Sequence, residues 1–158
     1  MIKIFGCVVF LLMISCNDRS SSSSKQTRSV KDTVAAPVPQ PRNIDGCYQL
    51  VIAKDTASMK LVSSGDAVSG HLTYHRFEKD SNDGEFSGNI YPNGQIIVWY
   101  KFQAEGMISI RQSVFKIVDK GLAEGFGEVV MQHDTVVFKF PRALSFEDKH
   151  LFTKINCP

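Results

Sequence analysis

Four charged residues in the second half of the chain, Glu105, Arg111, Glu124 and Glu128, recur beside aromatic positions and raise the first chemical question. Arg111 alternates in phase with Ser109 and Ser113, and Glu124 and Glu128 with Phe126, as residues two apart do on one face of a strand. If those faces turn inward, Arg111 requires a carboxylate partner, because an isolated buried charge is very costly. Such a network would be the polar end of a ligand pocket, with Tyr74, Trp99, Tyr100 and Phe102 as its aromatic wall. Turned outward, the same residues form a ladder of surface ion pairs worth under about 1 kcal/mol each.

Other chemistries find less support. Glu124 and Glu128 are a carboxylate pair, but four residues along one strand separates them by about 13 Å, beyond the range used in glycoside hydrolysis. His71 and His75 are equally far apart and read as residues of a wet outer face rather than ligands of one metal ion. His133-Asp134 reads as a turn and His150 as a surface residue. No Gly-x-Ser-x-Gly occurs, and the glycines from Gly121 to Gly127 precede no helix and lack the order of a phosphate loop. The sequence therefore predicts no enzyme, no cofactor and no metal.

The elements that must position these residues are strands. Turn signals recur at Ser64-Gly65-Asp66, Asn82-Asp83-Gly84, Pro92-Asn93-Gly94, Asp119-Lys120-Gly121 and His133-Asp134, with β-branched and aromatic runs between them. The spacing predicts strands over Cys47–Ala53, Ser58–Ser63, Ala67–Phe77, Glu85–Tyr91, Gln95–Gln103, Met107–Val118, Leu122–Met131 and Thr135–Phe140, and a last one near Leu151–Ile155. Ser145 and Asp148 are spaced to cap one helical turn. Val68, Leu72 and Tyr74 share one face of their strand, opposite Ser69, His71, Thr73 and His75. In the same way Ile96, Val98, Tyr100, Phe102 and Ala104 form an apolar row, with Ile97 and Trp99 behind it. Gly70, Gly88, Gly125 and Gly127 fall inside predicted strands, where glycine suits a sharply coiled sheet. The expected fold is all-β: one small antiparallel barrel of eight or nine strands, lipocalin-like, over residues 44–158. A two-sheet sandwich is the alternative.

The first residues read differently. Lys3 precedes an apolar run from Ile4 to Ile14, long enough for the core of an export signal and too short to span a bilayer of about 20 residues. Met13-Ile14-Ser15-Cys16 resembles a bacterial lipobox. The resemblance implies cleavage after residue 15 and lipidation of Cys16, with two or more acyl chains giving stable anchorage. An ordinary secreted protein is the alternative. Residues 16–43 carry the run Ser20 to Ser24 and then Pro37, Pro39 and Pro41, the composition of a disordered tether. With 18 Lys and Arg against 16 Asp and Glu, scattered rather than clustered, nucleic acid is not an expected partner. Cys47 and Cys157 stand at opposite ends of the domain, and an oxidising compartment would pair them; two free buried thiols are the competing reading.

Gly46-Cys47-Tyr48, Val68-Ser69-Gly70-His71-Leu72-Thr73-Tyr74, Glu105-Gly106-Met107, Glu124-Gly125-Phe126-Gly127-Glu128 and the closing Asn156-Cys157 together resemble a family of small lipoproteins common in Bacteroidota. No activity is established for that family, so the resemblance implies a barrel fold and a place in the cell envelope. The expected location is the outer membrane, facing the periplasm, since Asn17-Asp18-Arg19 lacks an acidic surface-export cluster; the cell surface is the alternative. The expected role is a binding or interaction module for a small apolar or amphipathic ligand or an envelope protein. An inhibitor of a cell-wall hydrolase and a structural envelope component are the alternatives. The former rests on a likeness to membrane-bound lysozyme inhibitors, whose Ser-Gly-x-x-Tyr loop is one residue shorter than Ser69–Tyr74.

Overall fold

The alternation read in the sequence is realised as ten strands and no helix in a computed structural model, which describes residues 43–158. The expected signal segment, Cys16 and the tether up to residue 42 lie outside the described residues. The strands are β1 (Gly46–Ile52), β2 (Asp55–Ser64), β3 (Ala67–His75), β4 (Asn82–Ile90), β5 (Gln95–Ala104), β6 (Met107–Val118), β7 (Gly121–Phe126), β8 (Val129–Gln132), β9 (Thr135–Phe138) and β10 (Ser145–Ile155).

Hydrogen-bonded neighbours run β5-β4-β3-β2-β1-β10-β7-β6, and β6 pairs again with β5, so eight antiparallel strands close into a barrel. Closure leaves none of those eight as a free edge. The remaining hairpin, β8–β9, takes the edge of β6 that β7 leaves after Phe115, β9 running parallel to β6 at Ile110 and Arg111. Asn93-Gly94 makes the expected hairpin, with Gly94 at φ 78°. Another tight turn, Glu105-Gly106, joins β5 to β6 with both residues at positive φ, 51° and 76°.

Three local expectations are corrected. The stretch 122–131 is two strands, not one, broken at Gly127-Glu128; Leu144 occupies the space that side chains at 125 and 127 would need. Asn82-Asp83-Gly84 lies within β4 rather than in a turn. Gly84 is there because a Cβ would run into the carbonyl oxygen of Lys101 on β5. Ser145 and Asp148 begin β10 instead of a helical turn, since pairing with β7 supplies the backbone partners that an isolated turn lacks.

The interior is packed. Tyr48, Leu50, Met59, Leu61, Leu72, Phe86, Ile96, Val98, Tyr100, Phe115, Leu122 and Phe152 form one buried cluster. Phe152 meets Phe115 edge-on at 5.7 Å and Tyr74 at 6.4 Å. One end of the barrel is shut: Ile44 is buried in the core and its carbonyl accepts the Tyr48 hydroxyl at 2.6 Å. At the same end Cys47 and Cys157 are bonded, with Cα atoms 5.1 Å apart. The first and last strands are thereby stapled as well as paired, Cys47 opposite Ile155.

Candidate functional site

The opposite end of the barrel is open, and the reason lies in how β7 is paired. Phe115 and Glu124 are the last partners of β6 and β7 on the side towards the mouth, after which the two strands part. On its other side β7 meets β10, whose register slips between Phe146 and Leu151. Glu124 thus sits where the sheet loosens on both flanks, a common use of a bulge. Gln112 helps fill the gap on the β6 side by accepting the Phe138 amide at 3.2 Å.

Alternation brings Tyr74 from β3, Tyr100 and Phe102 from β5, Arg111 from β6 and Glu124 from β7 to the inner face near this mouth. The guanidinium carbon of Arg111 lies 5.0, 5.4 and 5.7 Å from the ring centres of Tyr74, Tyr100 and Phe102, within cation–π range. Tyr100 and Phe102 are themselves stacked at 4.8 Å. The Tyr74 hydroxyl donates to Glu124 Oε1 at 2.7 Å, and the Tyr100 hydroxyl donates to the Leu72 carbonyl at 2.7 Å. Arg111 faces inward with a carboxylate near it, as a buried guanidinium requires. The approach to Glu124 Oε1 is nevertheless long, 4.0 Å.

Burial pushes the Glu124 carboxyl above its ordinary value. The Tyr74 hydrogen bond and the positive charges of Arg111, His150 and Arg76 pull the other way without cancelling it. Tyr74 is raised well above the ordinary phenol value, first by burial and then by the neighbouring Glu124 carboxylate. Tyr100 moves the same way, again mainly through burial.

Between these residues and the rim is a cavity of about 210 Å³, lined by Leu50, Ile52, Tyr74, Arg111, Glu124, Phe126 and His150, with Asp55 and Arg76 at its edge. That is space for about seven waters at roughly 30 Å³ each, less than the 300 Å³ or more of a drug-sized pocket. Two buried side-chain polar atoms among the described residues have no hydrogen-bond partner, Arg111 Nε and His150 Nδ1. Both side chains line this cavity. Buried polar atoms are nearly always satisfied, so two orphans on side chains that line one cavity single it out as the candidate site, although both atoms are themselves covered.

Three of the expected pocket residues lie elsewhere. Trp99 is on the outer face of β5, 47 % exposed, because it alternates with the inward-facing Tyr100. Glu105 occupies the exposed β5–β6 turn. Glu128 stands in the break after β7, on the surface, paired with Lys139 at 2.9 Å. In their place the mouth recruits His150, Phe126, Arg76 and Asp55. His150 is not a plain surface residue: it is half-buried, and its ring lies 4.2 Å from that of Phe126. Its signal was available, since Phe152 is an apolar core residue two positions on, and residues two apart share a face.

A wider depression, about 590 Å³, lies on the barrel's outer wall between Lys60, His71, Glu85, Trp99, Lys101 and Ile110. It exceeds the mouth in volume, but its histidine is already engaged: His71 bonds Asp83 at 2.9 Å, and Asp83 also takes the Thr73 hydroxyl. Those two bonds hold the Asp83 carboxyl below its ordinary value, the Thr73 bond most of all. His75 bonds Ser81 at 2.9 Å. Both histidines are therefore on the wet outer face, as their alternation predicts. No group of three or more His, Cys, Asp or Glu suited to a metal ion occurs among the described residues. Ser69–Tyr74 runs inside β3 with Tyr74 buried, so it presents no loop. Compared with protein families, curated proteins and solved structures, the chain matches none.

Proposed function

We propose that this chain is an envelope lipoprotein, held to a membrane by acylated Cys16, whose barrel binds a small molecule in its open end. The observation that carries the reading is the mouth cavity with its two unsatisfied polar atoms, Arg111 Nε and His150 Nδ1. The packed core narrows the reading: Tyr100, Phe115 and Phe152 fill the barrel behind the cavity, leaving no room for a long lipid chain in the interior. The ligand is compact and sits at the rim. The inhibitor alternative lacks the exposed Ser-Gly-x-x-Tyr loop it would use, and the ligand reading is preferred.

The test is the full-length protein purified from cells fed labelled palmitate. Label is expected on the wild type and absent from Cys16→Ser; label on the variant refutes the anchor. The same preparation, denatured and extracted, is expected to release one small molecule in near-equimolar amount, strongly reduced in Arg111→Gln. An empty extract, together with no amide shifts at Leu50, Phe126 or His150 in titrations with a fragment set, refutes the binding role.

A further inference from the structure

Resting on that reading of the mouth, we propose that the ligand is a small organic acid. Its carboxylate lies between Arg111 and His150, and its apolar part rests against Leu50, Ile52 and Phe126.

The donors and acceptors of the mouth are out of balance. A guanidinium has five N–H donors in a planar fork that matches a carboxylate in bidentate fashion. Around Arg111 the nearest carboxylate oxygen is Glu124 Oε1 at 4.0 Å, beyond hydrogen-bond length. That same oxygen is already taken by the Tyr74 hydroxyl at 2.7 Å. The other acid at the rim, Asp55, uses Oδ1 to accept the Phe77 amide at 2.8 Å. One oxygen of each acid is thus engaged, while the buried side-chain atoms left without partners, Arg111 Nε and His150 Nδ1, belong to the bases.

Charge points the same way. Arg111 and Arg76 both act on the single buried carboxyl, Glu124, which burial holds above its ordinary value and so weakens as their counter-charge, leaving Asp55 as the other acid of the mouth. A cationic ligand would have to displace Tyr74 from Glu124 and sit beside two arginines. An anionic one pairs with the Arg111 guanidinium, whose nearest carboxylate oxygen is 4.0 Å away. Inorganic phosphate would satisfy the arginines but leave the apolar wall of Leu50, Ile52 and Phe126 facing water, so the anion is expected to carry hydrocarbon. Arg111 already lies across Tyr74, Tyr100 and Phe102, which fixes its plane before any ligand arrives and lowers the ordering cost of binding.

The experiment is a two-dimensional NMR titration of the full chain with benzoate, benzamide, benzylamine and inorganic phosphate. Benzoate is expected to shift Leu50, Ile52, Phe126 and His150 saturably and to bind at least about tenfold tighter than the other three, as charge-assisted bidentate pairing implies. Arg111→Gln is expected to weaken benzoate by about tenfold or more. Should that variant fold poorly, Glu124→Gln serves instead. It keeps an acceptor for Tyr74 but removes a negative charge beside the site, and benzoate is expected to bind about threefold tighter. Unchanged or weaker binding there overturns the proposal. Benzamide or benzylamine binding as tightly as benzoate overturns the organic acid and leaves the mouth a ligand site. Phosphate binding in preference to benzoate overturns it too. Silence of the mouth residues to all four removes the acid and counts against the ligand reading as well.

Discussion

The two ends of this barrel are built from the same strands and yet solve opposite problems. At the shut end Ile44 plugs the opening, Tyr48 donates to its carbonyl, and Cys47–Cys157 joins the first strand to the last. Every polar group named there has a partner, and the side chains are apolar. At the open end Glu124 is buried, Arg111 approaches it without a hydrogen bond, and two nitrogens lack partners. An end that is satisfied contributes stability, whereas one that is left unsatisfied stores the capacity to bind. The difference arises from pairing: β1 and β10 run in continuous register at the staple, while β7 loses β6 and slips against β10 around Glu124.

This division can be tested by damage to each end. The largest effect is expected from Phe152→Ala. Phe152 is fully buried between Phe115 and Tyr74, and its removal should cost about 3–5 kcal/mol in denaturant unfolding. A loss below roughly 1.5 kcal/mol would mean that the interior is looser than the packing implies. Next comes the staple. Replacing Cys47 and Cys157 together by serine opens a loop with a sequence separation of 110, expected to cost about 2–4 kcal/mol while benzoate-induced shifts at the mouth persist. Disappearance of those shifts in a variant that still folds would show that the two ends are not independent.

The smallest change is expected from Glu124→Gln, and its sign depends on pH. Burial holds the Glu124 carboxyl above its ordinary value of 4.5, so the folded state binds that proton more tightly than the unfolded state does. Its contribution to stability is complete below the unfolded value and is lost as pH rises through the raised folded one. Glutamine keeps an acceptor for Tyr74 and does not titrate. The variant should therefore gain on the wild type as pH rises from 4 to 8, measured as the difference in unfolding midpoint. A difference that is flat, or that moves the other way, would show that the Arg111 pairing outweighs burial.

Much of the frame was legible from alternation and turn chemistry. The bounds of β6, the Asn93-Gly94 hairpin and the inward rows of β3 and β5 follow from period-two patterning. That Arg111, if turned inward, needs a carboxylate follows from the cost of an isolated buried charge, but neither its face nor the choice of Glu124 does. What escaped was set by contacts between distant segments. The break between β7 and β8 depends on Leu144 filling space beside Gly125 and Gly127, and a glycine in a coiled strand reads the same as one at a break. Trp99 and Tyr100 are adjacent, so no single strand face can hold both; placing both in one pocket ignored that limit. Phe152 two positions on is a signal for His150, but Ser145 and Asp148 mimic a helix cap and obscure it, and only pairing with β7 makes that stretch a strand.

The bond between Cys47 and Cys157 has one more consequence. Because those residues bracket nearly all of β1 and the whole of β2 through β10, the domain is a covalent ring. A protease that cuts once in the exposed segment between His75 and Asn82 opens the ring but releases no fragment, because the disulfide still joins the two halves. A single nick would be invisible on a non-reducing gel and would leave the strands free to zip back together.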